Sequence, residues 1–315
     1  MTKPSACFRQ RFALGAARGG CLAARVVSTK PVIFIVAMLV LLVLVIGGLV
    51  WLKSGQRYET QTLTEPSLEE LEHNLGPEHP TTLERRYGLA NALYAQGKYA
   101  EAEQEHRAVL ALRERVLGPK HLDTYRSWWA LAVVFQSQGK DSDAEAIYER
   151  VVPFFERTFG TEHPDTLLSR NNMANVLHSL GKYAEAEREH RAVLEVLERV
   201  VAPEHPVTLK SRNNLAITLN NQGKYTEAER EHRAVLAVRE RVLGMKHPDV
   251  FQSCHNLACT LENQGKLAEA LAFAQRTREG REEVLESEHP DTKNTKELCQ
   301  RIEAELAKEQ EGRGR

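Results

Sequence analysis

Apolar and polar positions follow two different rhythms along this chain. From Pro31 to Leu52 the sequence PVIFIVAMLVLLVLVIGGLVWL carries no charge. As a helix rising ~1.5 Å per residue it would cross a hydrocarbon core of ~30 Å, which predicts a single transmembrane helix over residues 31–52. Further on, apolar and small residues return at helical spacing in paired blocks. Thr208 to Gly223 places Leu215, Ala216 and Leu219 on one face, as neighbours three or four apart do in a helix. Tyr225 to Val242 gives a second stripe through Ala228, His232, Val235 and Leu236. Gly223 is suited to end the first helix and Lys224 to favour its C-terminal dipole. Gly244 and Pro248 mark the next stop and start. The unit is a helical hairpin.

The hairpin repeats without slippage. Gly97, Gly139, Gly181, Gly223 and Gly265 recur at intervals of 42, each followed by Lys, and His79, His121, His163, His205, His247 and His289 keep the same interval. Ala102, Ala144, Ala186, Ala228 and Ala270 do so too. Self-similarity of this kind predicts a stacked array in which each unit buries its neighbour's face. Five hairpins are expected over 75–288 (75–116, 117–158, 159–200, 201–242 and 243–288), followed by a polar capping helix and tail over 289–315. Residues 53–74 form a linker with a short helix from Pro66 to Leu75, and 1–30 form a basic tail. Asp141 stands where other repeats have Tyr or Leu, Ala202 replaces a Gly, and Cys299-Gln300 replaces Leu-Ala in the last segment.

These phrases, among them HPDTL, RNNLA, NQGKYTEAE and RVLG, resemble the tetratricopeptide repeat and in particular its 42-residue kinesin light chain type, over about residues 75 to 310. The resemblance implies an all-α fold, a right-handed superhelical solenoid, whose first helices line a concave groove for an extended or helical peptide. Transferred by position, that groove contains Tyr87 and Asn91; Arg126 and Trp129; Asn171 and Asn175; Lys210, Asn213 and Asn220; and His255. Leu168, His178, Gln252, Cys259 and Glu262 fall on the same stripe. Asn could serve a peptide backbone with donors and an acceptor, and Tyr and Trp supply apolar anchors. Asn171, Asn172, Asn213 and Asn214 could equally tie neighbouring repeats together by hydrogen bonds. Nothing resembles the coiled coil by which kinesin light chains bind the heavy chain, which argues against a motor role.

Charge sharpens the membrane reading. The formal net charge is -1, but residues 1–30 hold Lys3, Arg9, Arg11, Arg18, Arg25 and Lys30 with no acid, leaving about -7 on the remainder. A basic flank normally stays cytoplasmic, so the N-terminus is expected inside and the repeats across the membrane, in the periplasm if the cell is bacterial. An apolar run of this length, without an A-x-A-like site, reads as an uncleaved anchor rather than a signal peptide. The acid-free, Arg-containing leader also resembles a mitochondrial transit peptide. No overall basic bias points to nucleic acid.

Candidate chemistry changes little. The HPD tripeptide of His163, His247 and His289 matches that of J-domain cochaperones, but it opens a repeat every 42 residues and reads as a helix start. Six periodic histidines belong to different hairpins, whereas a zinc site needs its ligands ~2 Å from one ion. His106, His190 and His232 fall on interior faces. Five scattered cysteines, Cys7 and Cys21 among them, show no metal spacing, and no phosphate loop, G-x-S-x-G elbow or HExxH is present. No catalytic residue, metal, cofactor or small-molecule substrate is expected. The chain reads as a membrane-anchored scaffold for a protein or peptide partner, with a cochaperone or assembly factor for unfolded clients as the alternative.

Overall fold

Every periodic histidine opens a helix in the computed structural model. The structure describes residues 66–285 and 288–313, so the basic tail, the apolar run of 31–52 and most of the 53–74 linker lie outside the described residues. Among the described residues there are twelve helices and no strand, and no helix is long and apolar enough to cross a membrane. The helices are α1 (Leu68–Leu75), α2 (Pro80–Ala95), α3 (Tyr99–Val116), α4 (Leu122–Ser137), α5 (Asp141–Phe159), α6 (Pro164–Ser179), α7 (Tyr183–Val200), α8 (Pro206–Asn221), α9 (Tyr225–Leu243), α10 (Pro248–Asn263), α11 (Leu267–Val284) and α12 (Pro290–Arg313).

The chain divides into two compact units, residues 1–74 and 75–315. In the first, α1 begins with a capping box: Ser67 N–H donates to Glu70 Oε2 at 2.8 Å, and Glu70 N–H donates to Ser67 Oγ at 3.1 Å.

The second unit is an all-helical solenoid built from pairs α2/α3, α4/α5, α6/α7, α8/α9 and α10/α11, with α12 stacked on α11. The histidine at each start is an N-cap. Its Nδ1 accepts the amide N–H two residues on, from Asp123 at 3.1 Å, Asp165 at 3.2 Å and Asp249 at 3.1 Å, for example. This satisfies an amide that a helix start would otherwise leave unpaired.

At the turn inside each hairpin Gly223 takes φ +79°, a conformation costly for any residue with a Cβ. Lys224 N–H then bonds Leu219 O at 2.9 Å, closing a Schellman-type end. Ala202, at the junction where other repeats use a left-handed Gly, keeps negative φ, and α7 ends instead on Val201 with φ -104° and ψ -72°.

Packing is as periodic as the sequence. Ala102, Ala144, Ala186, Ala228 and Ala270 are fully buried, small enough for the paired helices to meet closely. His106, His190 and His232 are buried in one column, completed by Tyr148 and Ala274 in repeats two and five. Burial holds these three imidazoles neutral, with pKa lowered to about 4. The last segment is more than a polar cap: Leu298, Cys299 and Ile302 of α12 are buried in the core of repeat five.

Candidate functional site: the face of the first helices

First helices approach one another directly, α2 beside α4, α4 beside α6, α6 beside α8, α8 beside α10 and α10 beside α12. Their outward residues therefore form columns running from repeat to repeat. Tyr87, Trp129, Asn171, Asn213 and His255 make one column, each half-buried, and Asn91, Arg126 and Lys210 beside it are exposed.

Several asparagines expected to meet a partner are engaged within the array. Asn214 Nδ2 donates to Asn175 Oδ1 at 3.0 Å, Asn256 Nδ2 to Asn213 Oδ1 at 2.9 Å, and Asn263 Nδ2 to Asn220 Oδ1 at 3.2 Å. His178 adds to the ladder through Thr218 Oγ1 and Asn221 Nδ2, both at 3.1 Å. Asn175, Asn213 and Asn220 thus act first as ties between repeats. Asn213 and Asn214 make ties of the kind the sequence allowed for, whereas the partners Asn256 and Asn263 escape a reading of single helices, because only the 42-residue stacking brings them opposite their acceptors.

The arginines divide in the same way. Arg170 pairs with Glu189 at 2.8 Å and Glu156 at 3.7 Å, and Arg212 pairs with Glu231 at 3.1 Å and with Glu198. Both are committed to their own and the preceding hairpin. Arg126 bonds only Asp123 of its own helix, at 3.1 Å, and Lys210 makes no ion pair among the described residues. Four of the five lysines after the hairpin glycines have a role that their helix-end position hides: Lys140, Lys182, Lys224 and Lys266 reach back 37 residues to Glu103, Glu145, Glu187 and Glu229, at 2.6 to 2.8 Å.

Aromatic residues concentrate in repeats one and two. Tyr87 packs edge-on against His106, with the Arg113 guanidinium 4.8 Å from its ring centre. Burial raises its phenol pKa and Arg113 opposes that rise. Trp129 packs against the aromatic core around Phe135, Tyr148 and Phe155, and its indole N–H has no partner in the described structure. At the other end, His255 Nε2 lies 3.8 Å from Cys259 Sγ. Burial pushes the thiol up to about 11 and the imidazole down to about 4, the reverse of an activated thiolate–imidazolium pair. Among the described residues no three His, Cys, Asp or Glu side chains group as metal ligands.

A tetratricopeptide repeat sequence profile matches residues 86–157, 165–220 and 207–283. The chain belongs to the tetratricopeptide repeat family. No curated protein matches it in sequence. Among solved structures it is similar to the kinesin light chain nearly identical TPR-like repeats of Podosopora anserina, with 27% identity and a TM-score of 0.58, covering 67% of this chain and 100% of that one. BtubC (BKLC) from P. vanneervenii shares the fold at 22% identity and a TM-score of 0.57, over 71% of this chain and 90% of that one. The apo form of RapI does so at 14% identity and a TM-score of 0.56, over 72% and 84%. A repeat array of this family is consistent with a scaffold for protein interaction.

Proposed function

We propose that this chain is a membrane-anchored adaptor that holds a segment of another protein against its first helices. The observation that carries the reading is a contrast between columns. Ala102 and its four equivalents are the same residue in every repeat and fully buried, whereas Tyr87, Trp129, Asn171, Asn213 and His255 vary and stay half-exposed. Packing constrains the first column, and the second is open to a partner. Trp129 and Tyr87 would be its apolar anchors, with Asn91, Asn171, Arg126 and Lys210 as polar contacts. Asn175, Asn213 and Asn220 would contribute chiefly by keeping the columns in register. Binding needs no chemistry beyond this.

Recovery of the partner from native cells tests the face. Changing Asn91, Arg126 and Lys210 together to Ala removes exposed side chains outside the repeat-to-repeat ladder, so circular dichroism and melting temperature should stay near wild type while recovery is lost. Undiminished recovery, also from Trp129→Ala, would sink the proposal. Suppressed aggregation of many unrelated unfolded proteins would transfer the array to the cochaperone reading.

The tether is the second half of the proposal. The uncharged run of 31–52 and the +6 leader support a single-pass anchor with its N-terminus cytoplasmic and the repeats beyond the membrane, in bacteria the inner membrane and periplasm. Release by alkaline carbonate would exclude the anchor, and a reporter showing a cytoplasmic C-terminus would reverse the orientation.

A further inference from the structure

The edge formed by second-helix ends and the junctions that open the same hairpins carries a repeated ion pair. Arg115 bonds Glu78, Arg199 bonds Glu162 at 2.7 Å, and Arg241 bonds Glu204, each across 37 residues of sequence. At the 4/5 junction the signs are exchanged, and Lys246 bonds Glu283 at 2.5 Å. Both positions of the pair are thus seen taking a glutamate carboxylate, one by way of Arg and the other by way of Lys. Stepping the register to the one remaining junction places Lys120 and Arg157 in these two positions. Both are exposed, both are cationic, and neither makes an ion pair among the described residues. Val116, 40% exposed, and Pro119 adjoin Lys120 in sequence.

We infer that Lys120, which stands where Glu78, Glu162 and Glu204 stand in the other junctions, and Arg157 form a docking site for a carboxylate supplied by a protein partner, an Asp or Glu side chain that takes over the pairing those glutamates provide. The site lies on the junction edge, apart from the first-helix columns, and rests on the reading of the array as a protein-binding scaffold. Two cations at positions that pair in all the other repeats repel each other until an anion lies between them. A carboxylate is the occupant that the same two positions accept elsewhere in this molecule, which favours an acidic protein segment over a phosphate or lipid surface.

The test uses the full chain in uncharged detergent and a fluorescein-labelled hexaglutamate peptide, read by anisotropy at low salt. Wild type should bind saturably. Lys120→Glu closes the pair internally with Arg157, as in the other junctions, and should weaken binding about fivefold, in line with exposed charge pairs of up to ~1 kcal/mol. Lys98→Glu makes the same charge change at an exposed residue elsewhere and should leave binding within about twofold. Equal loss in both variants, or no saturable binding by wild type, would overturn the site. Binding of phosphatidylserine vesicles that is lost in Lys120→Glu, with no binding of hexaglutamate, would assign the pair to lipid and overturn the protein source. The first-helix proposal stands apart from these outcomes, because Asn91, Arg126, Trp129 and Lys210 are intact in both variants.

Discussion

At the scale of single residues, complementary exchanges show how one repeat compensates within itself. In repeats three and four Leu167 and Leu209 face the positions of Val196 and Val238; in repeat five Phe251 is matched by Gly280. A Cβ on Gly280 would lie 2.0 Å from Phe251 Cε1, and the ring is 4% exposed with little room to move. Gly280→Ala should therefore destabilise by about 1–3 kcal/mol in urea unfolding, despite Ala's better helix propensity. Adding Phe251→Leu should restore the loss, since it recreates the pairing of the other repeats; a double variant as unstable as the single one would contradict this. The exchange needs no structure to notice but does need one to interpret, because 29 residues separate the pair and only the hairpin brings them together. The same limit applies to Asn213: its sequence fits either a ligand or a tie, and the 2.9 Å bond to Asn256 assigns it to the tie.

At the scale of elements, helix starts, stops and pairing were legible because histidine, proline and glycine recur with fixed spacing and each has a local mechanical role. Contacts between repeats were not, because they depend on which second helix meets which first helix. The arginine latch is the clearest case. Arg281 is 4% exposed, and its guanidinium donates to Asp291 O at 2.9 Å, Thr295 Oγ1 at 2.7 Å and Gln252 Oε1 at 2.8 Å, joining α11 to α12 and α10. Arg113 and Arg239 make the equivalent bonds to Ser127 and Ser253 at 2.9 and 2.8 Å. Phe155 and Leu197 take the place in repeats two and three, where burial replaces the latch. Arg281→Met should cost about 1.5–3 kcal/mol, the range for charged hydrogen bonds. In a quasi-linear array the loss should be local. Hydrogen exchange should quicken in α12 and leave α4 to α7 unchanged; uniform acceleration would argue against a local latch.

At the scale of the whole molecule, three buried histidines couple the array to acid. His106, His190 and His232 have pKa values lowered from 6.5 to about 4, so the unfolded chain binds more protons between those values and stability falls with pH through that window. Above about 6.5 the contribution is complete, and it is lost towards 4, at roughly 3 kcal/mol per imidazole. Glu229, held down to about 2 chiefly by Lys266, Gln264 and Arg233 against the cost of burial, adds a further loss below 4.5. Changing all three histidines to Leu should make the slope of melting temperature between pH 6.5 and 4 much shallower, the remainder belonging chiefly to His255, which burial also lowers to about 4; an unchanged slope would contradict the assignment. The solenoid itself was readable from its 42-residue period, whereas the free part of the proposed binding face emerged only after the asparagine and arginine ties were removed from it. Photocrosslinking in native cells tests that face most directly, with benzoylphenylalanine placed at Arg126 or Lys210 on the first helices and at exposed Glu195 on α7 as the comparison. The account predicts one protein adduct from 126 and 210 and none from 195; an adduct from 195 alone, or of equal yield at all three, would contradict it.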